Sequence, residues 1–396
     1  MRFVYHHRTQ GRGGEGVHIA HVVRALGAAG HEVAVVSPPG VDPLGSAGTA
    51  PVDKSDLPVS GLHRVWRWVS RHWPQAGFEV LEIAYNAYAV LRLQPLLVAG
   101  SGIVVYERYA FFLVLSTWLA KRRGLTVLLE VNEVAGVRRA RGLVLERLAR
   151  RMERAVFGRA DAVLVVSSFL AAEARRRGAD AARIHLLPNA VEAVGAGAGD
   201  RARTRRELGI ADRIVIGFVG WFDEWDRLDL LVAAFADLHA TRPTAHLLLV
   251  GDGPVAGRLR EDLERRGLGR AVTLTGPVPR VDVPRHLAAM DLGVLPASNP
   301  FGSPIALFEM MAAGKAVVAP DVAPVRDVLA HDRTGVIVPQ EDPKALGAAL
   351  GRLLDDAGLR ERIGAAARER VAAAHTWAAN ARRIADIART CGEAVP

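Results

Sequence analysis

The densest chemistry in the chain lies in the run Phe301-Gly302-Ser303-Pro304-Ile305-Ala306-Leu307-Phe308-Glu309. A glycine and a Ser-Pro pair open a helix, one carboxylate sits in its second turn, and Gly314 closes it before the apolar run Ala316 to Ala319. The first amides of such a helix have no carbonyl one turn back, so they can face an anion, and Glu309 can accept both hydroxyls of a ribose. The pattern fits a nucleoside diphosphate sugar. Taken alone, it reads sooner as an ordinary loop-helix-strand unit.

Those residues need a scaffold, and the chain supplies one twice. A strand begins at Val4, Gly11 to Gly16 form a glycine-rich turn, Val17 to Ala29 carry apolar residues at helical spacing, and His31 to Ser37 make a second strand. This is one right-handed βαβ unit. Further strands are expected at residues 103–106, 126–131 and 162–166, with a long Pro/Gly-rich loop over 38–60. The run Ala193 to Asp200 has linker composition. The pattern then restarts with Ile214 to Gly220, a helix over about 228–240, and strands at 246–250, 272–275, 292–295, 316–319 and 335–338. The expected fold is α/β, with two Rossmann-like doubly wound domains facing across a cleft.

Composition agrees with two cores. A chain of 396 residues, half of them hydrophobic, is too long for one. The single cysteine, Cys391, excludes a disulfide framework or a cysteine metal site. The first residues carry no charged leader with an apolar core, and the longest apolar run, 110–120, is too short to span a bilayer, so a cytoplasmic chain is expected. The net charge of +9 is uneven: residues 1–200 hold 25 Lys+Arg against 17 Asp+Glu, whereas 201–396 hold 26 against 25. With only four lysines, the arginine excess itself fits a GC-rich coding bias.

Five further segments carry a family resemblance: the Gly-rich first turn, Ala160 to Ser167, Pro188-Asn189-Ala190-Val191-Glu192, Val219-Gly220-Trp221, and Val250-Gly251-Asp252-Gly253-Pro254. In this order and spacing, together with the run first described, the chain resembles a family 4 glycosyltransferase of the GT-B type along almost its whole length. The resemblance implies transfer of a hexose from a nucleoside diphosphate sugar to a saccharide, lipid-linked or natural-product acceptor, with retention at the anomeric carbon. It also implies no metal and no other cofactor, because helix-start amides can carry the charge developing on the leaving diphosphate.

The implied domains are 1–192 for the acceptor, 193–212 as linker, 213–375 for the donor, and 376–396 as a helix crossing back to the first domain. Glu309 would bind the ribose, Ser303, Pro304 and Ile305 the diphosphate, and the backbone from Gly276 to Arg280 the base edge, with Phe301 and Gly302 also at the donor site. Gly220, Gly251 and Gly253 would line the donor site. Gly13, Gly14 and Gly16, followed by His18, would let the first-domain loop approach diphosphate and acceptor.

Three departures from the family pattern stand out. Phe301 occupies the position of a first glutamate eight residues before Glu309, Ala306 replaces a basic residue before Leu307, and the cations usual after the strand glycine are missing from Gly220-Trp221-Phe222-Asp223-Glu224-Trp225-Asp226. Arg227 is the nearest substitute, or else an exposed arginine pairing Asp223 or Asp226. In the first domain, where relatives often carry a histidine, the chain has Glu130-Val131-Asn132-Glu133. A carboxylate there could activate an acceptor hydroxyl as general base, or Glu133 could cap a helix or pair with Arg138. His6, His7 and His18 read first as structural.

Two basic stretches, 62–74 with three tryptophans and 137–159 with eight arginines around Leu143, Val144, Leu145 and Leu148, suit an anionic membrane surface or simply a solvated face. No helix-turn-helix or zinc signature supports nucleic acid. Two rivals remain open: a non-catalytic partner subunit of the same fold, and a sugar-nucleotide epimerase.

Overall fold

The computed structural model describes residues 1–10, 13–45, 75–137, 142–192 and 198–393. The basic, tryptophan-rich stretch 62–74 therefore lies outside the described residues, as do most of the expected loop 38–60 and Arg138, Arg139 and Arg141. The described chain divides into two compact units, one holding residues up to 188 and those from 377 onward, the other 189–376.

The first unit is built on strands β1 (Arg2–His6), β2 (Glu32–Val36), β3 (Ile103–Arg108), β4 (Thr126–Val131), β5 (Ala162–Val165) and β6 (Ile184–Leu186). They form a parallel sheet of order β2-β1-β3-β4-β5-β6. β3, β4 and β5 are buried throughout, their apolar residues covered by helices on both faces and the charged Glu107, Arg108 and Glu130 buried with them. The chain leaves β1 toward β2 on one side and β3 lies on the other, so the crevice of this unit opens at the carboxyl ends of β1 and β3. The first helix, Gly13–Ala28, starts four residues before the expected position. Gly13, Gly14 and Gly16 thus belong to its first turn and not to a free loop.

The second unit repeats the plan with β7 (Ile214–Val219), β8 (Ala245–Val250), β9 (Val272–Leu274), β10 (Leu292–Val294), β11 (Ala316–Pro320) and β12 (Val336–Val338) in order β12-β11-β10-β7-β8-β9. Its switch point falls between β7 and β10. Residues 198–207, expected as linker, instead form a helix, Ala198–Glu207. The helix is polar all round. Tertiary bonds hold it: Arg201 donates to the Ala288 and Met290 carbonyls, Arg205 to Ala289, and both pair with Asp291. Asp291 also accepts from the Val215 amide at 2.7 Å, tying the helix to the start of β7.

The last helix, Trp377–Glu393, belongs to the first unit. Trp377 stacks on His21 at 5.3 Å and takes His18 edge-on at 5.3 Å, and Asn380 donates to the Pro188 carbonyl. Among the described residues no helix is long and apolar enough to cross a membrane.

Candidate functional site

In the second unit, the loop after β10 ends in the helix Ile305–Ala312, whose first residue follows Pro304 as cap. Ile305 and Ala306 are the first two residues of that helix, and Leu307 already bonds back to Pro304 at 3.1 Å. Both leading amides therefore lack an intrahelical acceptor at the carboxyl edge of the sheet. The Phe301 and Gly302 amides are spent differently, both donating to the Asn299 side chain. The Ser303 hydroxyl accepts from the Asn189 amide at 3.0 Å, and the Asn189 side chain donates to the Ser303 carbonyl at 2.6 Å. Its own proton is still available to a ligand. This explains why Pro188-Asn189-Ala190 matters to a loop more than a hundred residues later.

Glu309 lies one turn into that helix, buried at 7% exposure, with its carboxylate paired to Arg280. Arg280 stands on the short turn after β9, reached through Gly276, whose φ of +70° requires glycine. Burial lowers the Arg280 ionisation and the Glu192 charge opposes it. The predicted ribose acceptor and the predicted base-edge residue are thus in direct contact.

Gly251 and Gly253 are explained by packing. The loop leaving β7 passes over the end of β8, with the Phe222 amide donating to Asp252 at 2.9 Å and the Val255 amide to Phe222. A side chain at either glycine would collide with the backbone of Gly220 or Phe222. Arg227, the predicted replacement cation, sits at φ +47° with its guanidinium on Asp229 at 2.9 and 3.0 Å and on Glu341 at 3.2 Å. It pairs with neither Asp223 nor Asp226, and two carboxylates already compensate its charge. Phe301 meets Trp225 edge-to-face, ring centroids 6.5 Å apart.

In the first unit, strand register makes the polar clusters. His6 lies opposite Glu107, and its Nδ1 is 3.0 Å from both carboxylate oxygens, while Nε2 faces the Tyr85 hydroxyl at 3.3 Å. His7 is also buried; burial, then the neighbouring His6 and Arg108 charges, lower its pKa to about 3, so its ring is neutral and bonds Ser37 at 2.8 Å. Arg108 lies opposite Glu130 and pairs with it.

Tyr106 at 2.7 Å, His18 at 3.0 Å and Asn132 at 2.6 Å complete the shell around Glu130. Burial alone would raise this carboxyl, but His18 and Arg108 hold it well below the usual carboxylate range. A carboxylate so occupied is a poor proton acceptor. The Glu130 carboxylate, expected as a general base, is thus held by four side-chain partners, and Asn132 is one of its donors. Glu133 is half-buried, with its charge acting on Arg8 and Tyr109; its expected partner Arg138 is not among the described residues.

Asn299, Tyr106 and Arg108 were missed. For Asn299 a signal existed, an Asn two residues before an aromatic-Gly pair, which favours a side-chain turn. Tyr106 and Arg108 carry no local signal.

Comparison with known proteins bears on the same two units. A family model described as "Glycosyl transferase 4-like domain" matches residues 13–190, and one described as "Glycosyl transferases group 1" matches 200–370. An alpha-D-kanosaminyltransferase of Streptomyces kanamyceticus is 30% identical over 63% of this chain and 65% of its own length. A D-inositol 3-phosphate glycosyltransferase of Acidothermus cellulolyticus is 28% identical over 89% of this chain and 80% of its own length. Anabaena Alr3699/HepE, solved in complex with UDP, superposes with a TM-score of 0.73 at 16% identity, covering 98% of this chain and 100% of that one. The sheet orders, the helix start after β10 and both family matches converge: this chain belongs to the family 4 glycosyltransferases with two Rossmann-like domains, the GT-B fold.

Proposed function

We propose that the protein is a retaining glycosyltransferase that moves a hexose from a nucleoside diphosphate sugar to a saccharide, lipid-linked or natural-product acceptor, without a resident metal. One observation carries the reading: the helix Ile305–Ala312 presents two leading amides at the β7/β10 switch point, one turn before a buried carboxylate oriented by Arg280. The amides and the Ser303 hydroxyl would take the diphosphate and stabilise its growing charge as the glycosidic bond breaks. Glu309 would accept the ribose hydroxyls. Arg280 would steady that carboxylate and lie toward the base.

The test is thermal-shift titration of the full chain with UDP-, GDP-, ADP- and TDP-sugars, since a ligand that binds only the native state raises its melting point. One class should stabilise the protein, and Glu309→Ala should abolish that shift while leaving the unliganded melting point within a few degrees. No shift with any of them would remove the reading and favour a non-catalytic partner. Donor consumption without an acceptor would favour an epimerase.

A lipid-linked acceptor, met at an anionic membrane surface, is favoured by the exposed face of the helix Glu146–Phe157. There Arg147, Arg150, Arg151 and Arg154 surround Leu148 beside the exposed Val144, while Ala149, Glu153 and Val156 face inward. Co-sedimentation with phosphatidylglycerol vesicles should fall on Arg147→Glu/Arg151→Glu and with rising salt. Equal binding to neutral vesicles would argue against it.

A further inference from the structure

The helix Gln75–Leu93 of the first unit turns its carboxylates inward and an apolar stripe outward. Its buried positions include Glu79, Glu82 and Asn86, and each holds a neighbouring segment. Glu79 accepts the Val144 and Leu145 amides at 2.7 Å, Glu82 pairs with Arg8, and Asn86 accepts the Val114 and Leu115 amides at 2.9 Å. Its exposed positions are Val80, Ala84, Ala87, Leu91 and Arg92, with Val80 54% and Leu91 70% exposed. A surface helix that packs only on its own core shows the opposite pattern. The stripe widens onto the adjoining helix Leu115–Arg122, where Leu115 and Trp118 are exposed. A contiguous outward apolar face of this kind marks an interaction surface.

We infer that this face is a self-association surface, on which a second copy of the chain lays the same helix antiparallel about a two-fold axis.

The spacing is self-complementary. Val80, Ala84, Ala87 and Leu91 follow one another at intervals of four, three and four residues, the seam of a packed helix pair. Read in either direction the order is large, small, small, large. In an antiparallel pair Val80 therefore meets Leu91 of the second copy and Ala84 meets its Ala87, the equivalence that an isologous contact requires. The central alanines let the two axes approach closely.

Charge favours the same occupant. Among the described residues of the two helices no acidic side chain is exposed, and the cations beside the stripe are engaged within the unit: Lys121 on Asp161, Arg123 on the Gln94 and Leu97 carbonyls, and Arg122 over the Trp118 ring. Arg92 falls at the end of the stripe, on the rim. Such a face resembles the charge-depleted core of a protein interface more than a surface built for anionic headgroups. A helix of 19 residues is about 28 Å long and its neighbour lies roughly 8–10 Å away, so the face offers on the order of 500 Å² per copy. A standard interface buries about 800 Å² per partner, so the pair should be weak, with a micromolar Kd.

The experiment is sedimentation equilibrium of the full chain from low micromolar to about 200 μM. The mass should rise from one chain, 42.5 kDa, towards twice that value. Leu91→Glu should hold it at one chain, with a melting point unchanged because the site is exposed. Ala84→Leu should weaken association about tenfold, since a larger side chain drives the axes apart, again without lowering the melting point.

A single-chain mass at every concentration overturns the inference. So does a dimer indifferent to Leu91→Glu, which would use another face, and so does tighter association of Ala84→Leu, which would mark unspecific apolar adhesion. A chain that stays single in solution but binds neutral vesicles, and loses them on Leu91→Glu, overturns it in favour of a bilayer. The donor-site reading is untouched by each of these results.

Discussion

Asp226 offers a test of the electrostatics beside the candidate site. Burial, opposed by the hydrogen bond from the Asp223 amide and reinforced by the Asp223 charge, raises its pKa from 3.8 to about 7. Below about pH 4 the carboxyl is protonated in both folded and unfolded chains and has no effect. Between about pH 4 and 7 the native state keeps a proton that the unfolded chain has released, so stability falls as pH rises. Above pH 7 both states are ionised and the full penalty persists.

A shift of about three units corresponds to roughly 4 kcal/mol, and because Asp226 is only partly shielded from solvent, we take about half, ~2 kcal/mol. Asp226→Asn keeps an acceptor for the Asp223 amide and removes the charge. At pH 8 the variant should melt roughly 4–8 °C above the wild type, and at pH 4 the two should coincide. Calorimetric scans across that range measure it. A constant gap between the two proteins at every pH would refute the reasoning, since it would place the effect in packing and not in a proton.

Other perturbations follow from the same contacts. Glu130→Ala strands the buried Arg108 guanidinium and should cost about 3–5 kcal/mol in urea denaturation, whereas Glu130→Gln, which retains an acceptor, should cost less. Gly253→Ala drives a methyl into the Phe222 backbone and should lower stability by about 1–3 kcal/mol or more, read as a fall in the melting temperature of the second unit. Trp377→Ala empties the seat between His18 and His21 and should cost about 3–5 kcal/mol, with faster hydrogen exchange along the helix Trp377–Glu393.

Legibility followed the locality of the signal. β4 could be read to the residue because Thr126 to Val131 is a mostly apolar, β-branched-rich run, interrupted only by Glu130, in a sheet covered on both faces. β6 was missed because Ile184–Leu186 is three residues long with a histidine in the middle, and only its pairing with β5 makes it a strand. The helix Ala198–Glu207 was missed because its glycine, alanine and arginine content resembles a linker. Its stability comes from Asp291, some ninety residues away. The place of Glu309 in a short helix after a Ser-Pro start was legible in the sequence. Its pairing with Arg280 was not, since twenty-nine residues separate them.

The order of the strands and turns, the family they spell and the position of the helix start were determined by the sequence itself, because apolar periodicity, glycine and proline act over a few residues. What each polar side chain is free to do was decided only by tertiary structure. Strand register set Arg108 against Glu130, the first helix brought His18 to the same carboxylate, and a loop crossing set Trp225 against Phe301. A carboxylate's chemistry depends on which charges and donors surround it in space, and chain order alone does not specify those neighbours.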